Sequence, residues 1–186
     1  WDTIVYVTYG DDLARSKSKI ARAYAVRAGV SLRDDSTAAH EWRTTHGGGA
    51  LFTSIGGALV GQGCDLLIID DPHKDRTAAE SPLHRKRVVD WYLGGGLDRV
   101  EVGGSVLCCQ TRWHPDDLSG WLLRESPQDN WEVFNLPALG VLDESGKRVA
   151  NDNGEALWPE RWSKEELLKK KRADYEWRSK FQQQPV

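Results

Sequence analysis

The segment DLLIIDDPHK, residues 65–74, carries a continuous apolar run that ends on two adjacent carboxylates. The four apolar residues 66–69 form the pattern typical of a strand that is buried on both faces of a parallel sheet. Asp70 and Asp71 follow directly, and Pro72 stops the run because proline cannot donate to a strand ladder. The segment therefore predicts a central strand whose carboxyl end presents two acids.

The first element of the chain is predicted from residues 4–9 (IVYVTY), which are rich in β-branched and aromatic residues and favour a strand. Gly10 ends it, and Asp11 or Asp12 is then expected to cap a helix running to about residue 28. The side chains expected on one face of that helix are Leu13, Ile20, Tyr24 and Arg27.

Further strands and helices alternate along the rest of the chain. Residues 105–109 (SVLCC) predict a second short buried strand, and residues 140–156 are polar and turn-rich. A glycine-rich hairpin is predicted within 41–63, and a strand at 131–136. Helices are predicted at 76–93 and at 114–123, the second with Pro115 near its first turn. A further helix is predicted to begin at Ser163, which forms a capping box with Glu166. This alternation predicts an α/β fold with a parallel or mixed sheet.

Composition places the chain among ordinary globular proteins and sets limits on its partners. It has 186 residues, 39% of them hydrophobic and 28% charged, with a formal net charge of -3. Because no global positive field exists, any nucleic-acid role must depend on a local patch. No apolar run approaches the length of a membrane span, so no membrane association is expected. The absence of methionine leads us to expect a piece of a longer protein.

The three cysteines, Cys64, Cys108 and Cys109, form no C-x-x-C pair. Their odd number and spacing argue against a zinc site and against a disulfide framework. A reducing compartment is the expectation that fits this usage best.

The two buried strands predict a ligand site. Ligands of open α/β sheets bind outside the carboxyl ends of the strands. If strands 66–69 and 105–109 are neighbours, their trailing residues converge, and carboxylate, amide and hydroxyl groups suit Mg²⁺ and phosphate. One carboxylate then holds the metal and the other orients and deprotonates a water. The alternative is a plain turn, since Asp-Asp-Pro is also a turn signal. The converging residues are Asp70, Asp71, Gln110, Thr111 and Arg112.

Longer segments resemble a known family. The matching pieces, in the family's order, are residues 5–14, 56–81, 90–100, 108–123 (CCQTRWHPDDLSGWLL), 134–139, 156–167 and 181–185 (FQQQP). The chain resembles the ATPase domain of phage terminase large subunits, the motors that package viral DNA. This resemblance implies a three-layer, P-loop NTPase-like sheet of the additional-strand type, flanked by helices. No G-x-x-x-x-G-K-[ST] segment occurs here, so the first strand and the P-loop are expected to be lacking.

By that resemblance LLIIDD is a Walker B element, with Asp70 holding Mg²⁺ as in P-loop NTPases. Asp71 stands where such motors usually place a catalytic Glu, and its side chain is one methylene shorter. Glu80, on the next predicted helix, is a second candidate for that role. ATP is the implied substrate.

The resemblance makes Gln110 and Thr111 a coupling motif that senses the γ-phosphate. Arg112 is the implied residue that stabilises the transferring phosphate, and Arg99 is a second candidate, acting on a neighbouring subunit.

The resemblance also implies an organisation and partners. Residues 1–139 correspond to a partial ATPase domain, from the second strand through Walker B and the coupling motif. Residues 140–186 correspond to its C-terminal part and the start of a linker toward a nuclease domain. The implied partners are double-stranded DNA, a small terminase subunit, a portal protein and further copies in a homo-oligomer. The implied location is the host cytoplasm, and without a P-loop this chain alone is expected to be inactive.

Two other functions are open at this point. A metal-dependent nuclease would use Asp70 and Asp71 together with Asp116 and Asp117, although a helix N-terminus explains the second pair more simply. A non-catalytic, P-loop-like binding module would only dock on a partner.

Two basic clusters are DNA-contact candidates, but a solvated helix face is the simpler interpretation of each. They are Arg15, Lys17, Lys19 and Arg22, and the KKKR segment at 169–172. His114 is expected to pack or cap a helix rather than to bind phosphate. The sequence leaves His46, His73 and His84 as structural or exposed residues.

Overall fold

The computed structural model describes residues 2–36, 38–57, 59, 61 and 63–186, and the chain divides into two compact units. The first unit comprises Trp1–Lys74 and Ser81–Gln110, and the second comprises Asp75–Glu80 and Thr111–Val186. The division into 1–139 and 140–186 that the resemblance implies concerns two parts of one ATPase domain and stays a prediction.

The first unit is built on a five-stranded sheet in the order β2-β3-β1-β4-β5. Strands β3, β1, β4 and β5 are parallel, and β2 is antiparallel to β3. The expected α/β fold with a mostly parallel sheet is therefore confirmed at this level. The hairpin predicted within 41–63 is also confirmed, since β2 and β3 pair across the Gly47–Gly48 turn. The strands are β1 (Thr3–Thr8), β2 (Glu41–Arg43), β3 (Gly49–Ser54), β4 (Cys64–Asp70) and β5 (Val100–Cys109).

Helix α1 (Asp11–Arg27) covers one face of this sheet. Ala14 is 1% exposed and packs with Tyr6 and Phe52, and Ala21 and Ala25 also contact this cluster. The face predicted to carry the larger side chains is not the one that packs on the sheet, because Ile20 and Tyr24 are 51% and 64% exposed. The helix packs on the sheet through small side chains, which let the two lie close together. A search for a stripe of large apolar residues does not identify such a face.

The start of α1 also differs from prediction. Its N-cap residue is Gly10, and no side chain caps it. Asp11 accepts a hydrogen bond from the Ser54 hydroxyl instead, at 2.5 Å. The carboxylate that was expected to cap the helix is thus engaged with the end of β3.

The helix predicted at 76–93 is broken near Pro82. It consists of α2 (Arg76–Glu80), α3 (Pro82–Trp91) and a π-helical turn, Tyr92–Gly96. Ser81 caps α3, because its side chain accepts a hydrogen bond from the His84 N–H at 3.3 Å. Pro82 also disfavours a helical backbone at Ser81, the residue before it. The π-helical turn packs on the second face of the sheet, where an added Cβ at Gly96 would lie 3.3 Å from Leu67. Leu67 alternates with Ile68, which contacts the α1 cluster, so the first unit has three layers.

The second unit contains a small antiparallel sheet in the order β7-β6-β8. The turn-rich character predicted for 140–156 is confirmed, but the segment also contains strands that were not predicted. Asp143 accepts hydrogen bonds from the N–H groups of Ser145 and Lys147, and this turn joins two strands too short to show a periodic pattern. The elements are α4 (Leu118–Glu125), β6 (Leu139–Leu142), β7 (Arg148–Ala150), β8 (Glu155–Ala156), α5 (Lys164–Lys169), α6 (Asp174–Glu176) and a π-helical turn, Trp177–Phe181.

Three further predictions can be judged in this unit. The strand predicted at 131–136 is wrong: the segment is irregular, and Phe134 is 78% exposed. Helix α4 begins at Leu118, with Asp117 as its N-cap, instead of near Pro115. The capping box of Ser163 and Glu166 is confirmed.

The core of the second unit forms around Trp177, which is 1% exposed and stacks on Phe181 with 5.2 Å between ring centroids. Gln182 is buried and accepts a hydrogen bond from the Leu139 N–H at 3.1 Å. At this point the chain is packed into the second unit, where the sequence predicts the start of a linker. Within the part of the chain that the structure describes, no helix is long and apolar enough to cross a membrane.

Candidate functional site

The carboxyl ends of four parallel strands meet at one edge of the first unit's sheet, which we call the strand-end edge. Thr8 of β1 lies in register with Ser54 of β3 on one side and Asp70 of β4 on the other. Asp70 is in turn in register with Cys109 of β5. The expectation that the two strands are neighbours is thereby confirmed. The prediction that 105–109 is a buried strand is wrong, because β5 is an outer strand without a buried residue and Leu107 is 52% exposed.

Asp70 is 23% exposed and has two partners at this edge. The Tyr6 hydroxyl donates a hydrogen bond to its Oδ2. The Lys17 ammonium of α1 lies 3.8 Å from the same oxygen. Tyr6 and Asp70 lie on one face of the sheet because Tyr6 precedes Thr8 by two residues and Thr8 is the register partner of Asp70. Asp70 is thus a carboxylate held by a neutral donor and a nearby cation.

The acids shift the titration of their neighbours. Burial of the Tyr6 phenol, and then its hydrogen bond to Asp70, raise the pKa of Tyr6 well above its ordinary value, so it remains a donor. The pKa of the Cys109 thiol is also raised, first by its partial burial and then by the charges of Asp70 and Asp71. Besides burial, the raised pKa values of Tyr6 and Cys109 share a cause, the negative charges of Asp70 and Asp71 at the strand-end edge.

Asp71 has an unusual backbone conformation. Its φ is 45°, in the left-handed region that non-glycine residues rarely adopt, and its N–H donates to the Cys109 carbonyl at 2.9 Å. Such a conformation costs on the order of 1–3 kcal/mol, although Asp tolerates it better than most residues. The ladder bond to β5 and the following Pro72 hold the turn in place. The chain therefore turns sharply at the second acid.

Two buried polar side chains flank Asp70 along the strand-end edge. Thr8 is fully buried, and its hydroxyl has no hydrogen-bond partner among the described residues. The amide nitrogen and oxygen of Gln110 are also buried, and the described part of the chain gives them no partner. Unsatisfied buried polar groups are rare in folded proteins and call for an explanation such as a bound water, ion or ligand.

The other predicted site residues fall in the second unit. Thr111 and Arg112 follow Gln110 directly, at the point where the second unit resumes. Arg112 Nε lies 3.0 Å from both carboxylate oxygens of Asp117, whose side chain is fully buried. Asp117 also accepts from the Gly120 N–H at 3.0 Å. Arg112 thus anchors the N-terminus of α4, an interaction that the sequence analysis missed.

The remaining candidates also have definite places. Arg99 precedes β5 and lies at the amino end of that strand, opposite the strand-end edge. Glu80 pairs with Arg76 at 2.6 Å within the second unit. Asp116 pairs with Arg124 at 2.9 Å, and its N–H donates to the His114 ring, which agrees with a local role for His114.

The strand-end edge can be tested for its fit to magnesium. The described residues contain no group of three or more His, Cys, Asp or Glu side chains arranged to hold a metal. Mg²⁺ in nucleotide sites, however, needs only one or two carboxylates, with water and phosphate oxygens completing its shell. Asp70, with the unpartnered hydroxyl of Thr8 beside it in the ladder, offers hard oxygen ligands of that kind. The residues fit a metal bound together with a phosphate and do not form an all-protein cage.

Sequence reasoning found the acids but missed Tyr6, Lys17 and Thr8. The alternation of β1 places Tyr6 and Thr8 on one face, which a strand pattern can show. Assigning them to Asp70 requires the knowledge that β1 and β4 pair, which the sequence does not contain. Comparison with protein-family models and with curated proteins finds no match to this chain.

Proposed function

We propose that this chain is a portion of the ATPase of a viral DNA-packaging motor, a terminase large subunit that couples ATP hydrolysis to translocation of double-stranded DNA. The observation that carries the proposal is the position of Asp70 and Asp71. Asp70 ends a central parallel strand and Asp71 follows it, beside a strand that ends at Cys109 and is followed by Gln110. In α/β sheets this is where nucleotides bind.

In this proposal Asp70 would hold Mg²⁺, and Asp71 would orient a water for in-line attack on the γ-phosphate. Bound magnesium would neutralise charge on the β- and γ-phosphates. The Tyr6 hydrogen bond to Oδ2 orients the Asp70 carboxylate, and Lys17 balances its charge before a cation arrives. The buried Gln110 amide supplies a donor and an acceptor whose partner changes when phosphate leaves, which suits its coupling role with Thr111.

The sheet also offers a place for the strand that would bring a phosphate-binding loop. Its outer strands are β2 and β5. β2 has three residues and runs antiparallel, whereas β5 has ten residues and is parallel to β4. A further parallel strand beside β5 would place its own carboxyl end at the same strand-end edge, next to the end of β5 and one strand away from Asp70. We expect the natural protein to supply a G-x-x-x-x-G-K-[ST] segment there.

A metal-dependent nuclease is the weaker proposal. It needs several carboxylates around two ions about 4 Å apart. Asp116 and Asp117 instead pair with Arg124 and Arg112, and Asp117 caps a helix. A binding module without catalysis would give no reason for two acids at a strained strand end.

Parallel assays of ATP hydrolysis and DNA nicking separate these proposals. The natural protein that contains this chain should hydrolyse ATP only with Mg²⁺, and the 186-residue chain alone should show no measurable hydrolysis. Neither the chain nor its Asp116→Asn variant should nick supercoiled DNA with Mg²⁺ or Mn²⁺. Nicking by the chain that Asp116→Asn abolishes would favour the nuclease, and robust ATP turnover by the chain alone would refute the missing-loop assignment.

A further inference from the structure

A basic groove of about 640 Å³ lies in the second unit, and it is lined by residues of α5, of the segment after it and of the C-terminal π-helical turn. Its cations are Lys169, Lys170, Arg172 and Lys180. The KKKR segment therefore does not act as an isolated run, because Lys180 joins it from a separate element. Residues 157–182 contain eight basic and five acidic residues, although the whole chain has a net charge of -3.

The two carboxylates that line the groove are engaged locally. Glu166 accepts from the Ser163 N–H and hydroxyl, each at 2.9 Å, in the capping box of α5. Glu176 pairs with Lys180 at 2.6 Å. Lys169 and Arg172 form no ion pair within 4 Å in the described part of the chain. The groove thus retains positive charge that its own acids do not pair.

An aromatic surface accompanies these cations. Trp162 lines the groove and is 41% exposed, although the Lys170 ammonium lies 4.3 Å from its ring centroid. Part of the indole is therefore accessible beside a cation. Phe181 is less available, because its ring stacks on the buried Trp177.

We propose that this groove binds an unpaired segment of nucleic acid, with phosphates at Lys169, Lys170 and Arg172 and a base on the indole of Trp162. A basic groove with an exposed aromatic ring is the combination that binds single strands through backbone charge and base stacking. The bases of a duplex are paired and stacked, so none presents a face to an indole. The proposal is independent of the ATP site, and it differs from double-stranded DNA as the track of a motor.

Fluorescence anisotropy of a labelled oligothymidylate with the full 186-residue chain tests the proposal. A triple variant with Lys169→Gln, Lys170→Gln and Arg172→Gln should weaken binding at least about 10-fold at low salt, because each lost phosphate contact removes counterion release. The matched control, with Arg15→Gln, Lys19→Gln and Arg22→Gln on α1, removes the same charge and should change the affinity less than about 2-fold.

An abasic strand of the same length isolates the stacking contact. Trp162→Leu should weaken oligothymidylate binding about 10-fold and leave abasic-strand binding unchanged, because only a base stacks on the indole. Lys169→Arg with Lys170→Arg keeps the charge and should retain binding. Thermal melting followed by circular dichroism verifies that every variant is folded.

Several results would overturn the proposal. They are no binding of oligothymidylate, equal losses in the two triple variants, or tighter binding of the matched duplex or of polyglutamate. A loss of abasic-strand binding in Trp162→Leu as large as that for oligothymidylate would remove the stacking contact.

Discussion

Asp70 shows how a single carboxylate acquires a defined setting from three separate elements. β4 places it at the strand end, β1 contributes the Tyr6 donor, and α1 contributes the Lys17 ammonium. The acid itself is visible in the sequence because it interrupts an apolar run. Its partners are not, because Tyr6 is 64 residues away and only strand pairing connects the two.

The Cys109 thiol reports on the charge at this edge. Because burial and the Asp70 and Asp71 charges raise its pKa, less thiolate is present at mildly alkaline pH than for an ordinary cysteine. We expect slow alkylation by iodoacetamide, and a roughly 3-fold faster reaction in Asp70→Asn, since removing one negative charge lowers the pKa. Peptide mass spectrometry of timed reactions measures the rate at Cys109.

Asp65→Asn is the matched control for that experiment, because Asp65 lies on the same strand near its amino end. It should leave the Cys109 rate unchanged. A rate in Asp70→Asn that equals or falls below the wild-type rate would contradict the described electrostatics.

At the level of elements, α1 is the clearest difference between expectation and structure. The large side chains predicted to share one face are not the buried ones, because the buried residues are Ala14 and Ser18. Helix periodicity alone does not identify the buried face when small residues line it, since large residues can remain exposed. Ile20 and Tyr24 are such exposed residues.

Close packing of α1 makes a direct prediction. Ala14→Leu should lower the free energy of unfolding by about 2 kcal/mol, because three further carbons must fit against Tyr6 and Phe52. Ala23→Leu, at an exposed position of the same helix, should change it by less than about 0.5 kcal/mol. Urea unfolding followed by circular dichroism measures both. Equal effects of the two substitutions would show that α1 is not packed through its small residues.

Elements with strong local signals were predictable, and those defined by distant partners were not. The strands β1, β4 and β5 were found because each has a short run of apolar and β-branched residues, although only β1 and β4 contain buried residues. Strands β6, β7 and β8 have two to four residues each and gain their identity only from pairing. The run at 131–136 has strand-like residues, but the structure gives it no strand partner among the described residues.

On the scale of the whole molecule, one carboxylate of the second unit, Asp152, connects residues that are distant in sequence. The sequence alone does not identify it. Asp152 accepts from Trp177 Nε1 and Gln182 Nε2, both at 2.8 Å, and from Lys171 at 2.6 Å. The FQQQP segment, which the resemblance supplied as a motif, therefore has a structural role in this unit through Gln182.

The pH dependence of stability should reveal this contact. Partial burial acts to raise the pKa of Asp152, but its hydrogen bonds from Lys171, Trp177 and Gln182 hold it below the ordinary 3.8. Stability from a lowered pKa is fully present above the unfolded-state value and is lost as the pH falls through the folded-state value. Asp152→Ala should therefore cost about 2 kcal/mol near neutral pH and less near pH 3.

Urea unfolding at the two pH values measures this difference, and Asp174→Ala, an exposed acid of the same unit, is the control. The control should change stability by less than about 0.5 kcal/mol. A pH-independent cost of Asp152→Ala would contradict the assignment of the lowered pKa.

The candidate site was predictable in its acids and its edge of the sheet. Asp70, Asp71 and Gln110 could be placed together because parallel strands share the edge at which they end. Arg112 could not, because its salt bridge to Asp117 depends on the N-cap of α4, one turn later than expected. Arg99 lies at the amino end of β5, and its role on a neighbouring subunit stays a prediction.

The central claim is that the strand-end edge holds a metal and a nucleotide in the longer protein that we propose contains this chain. An assay of ATP hydrolysis with and without magnesium tests that claim most directly. In Asp70→Asn we expect the turnover rate to fall at least about 100-fold, because the carboxylate that would hold the metal is lost. Asp65→Asn, at the other end of β4, should stay within about 2-fold of wild type. Magnesium-dependent turnover that survives Asp70→Asn unchanged would contradict a metal and nucleotide site at the strand-end edge.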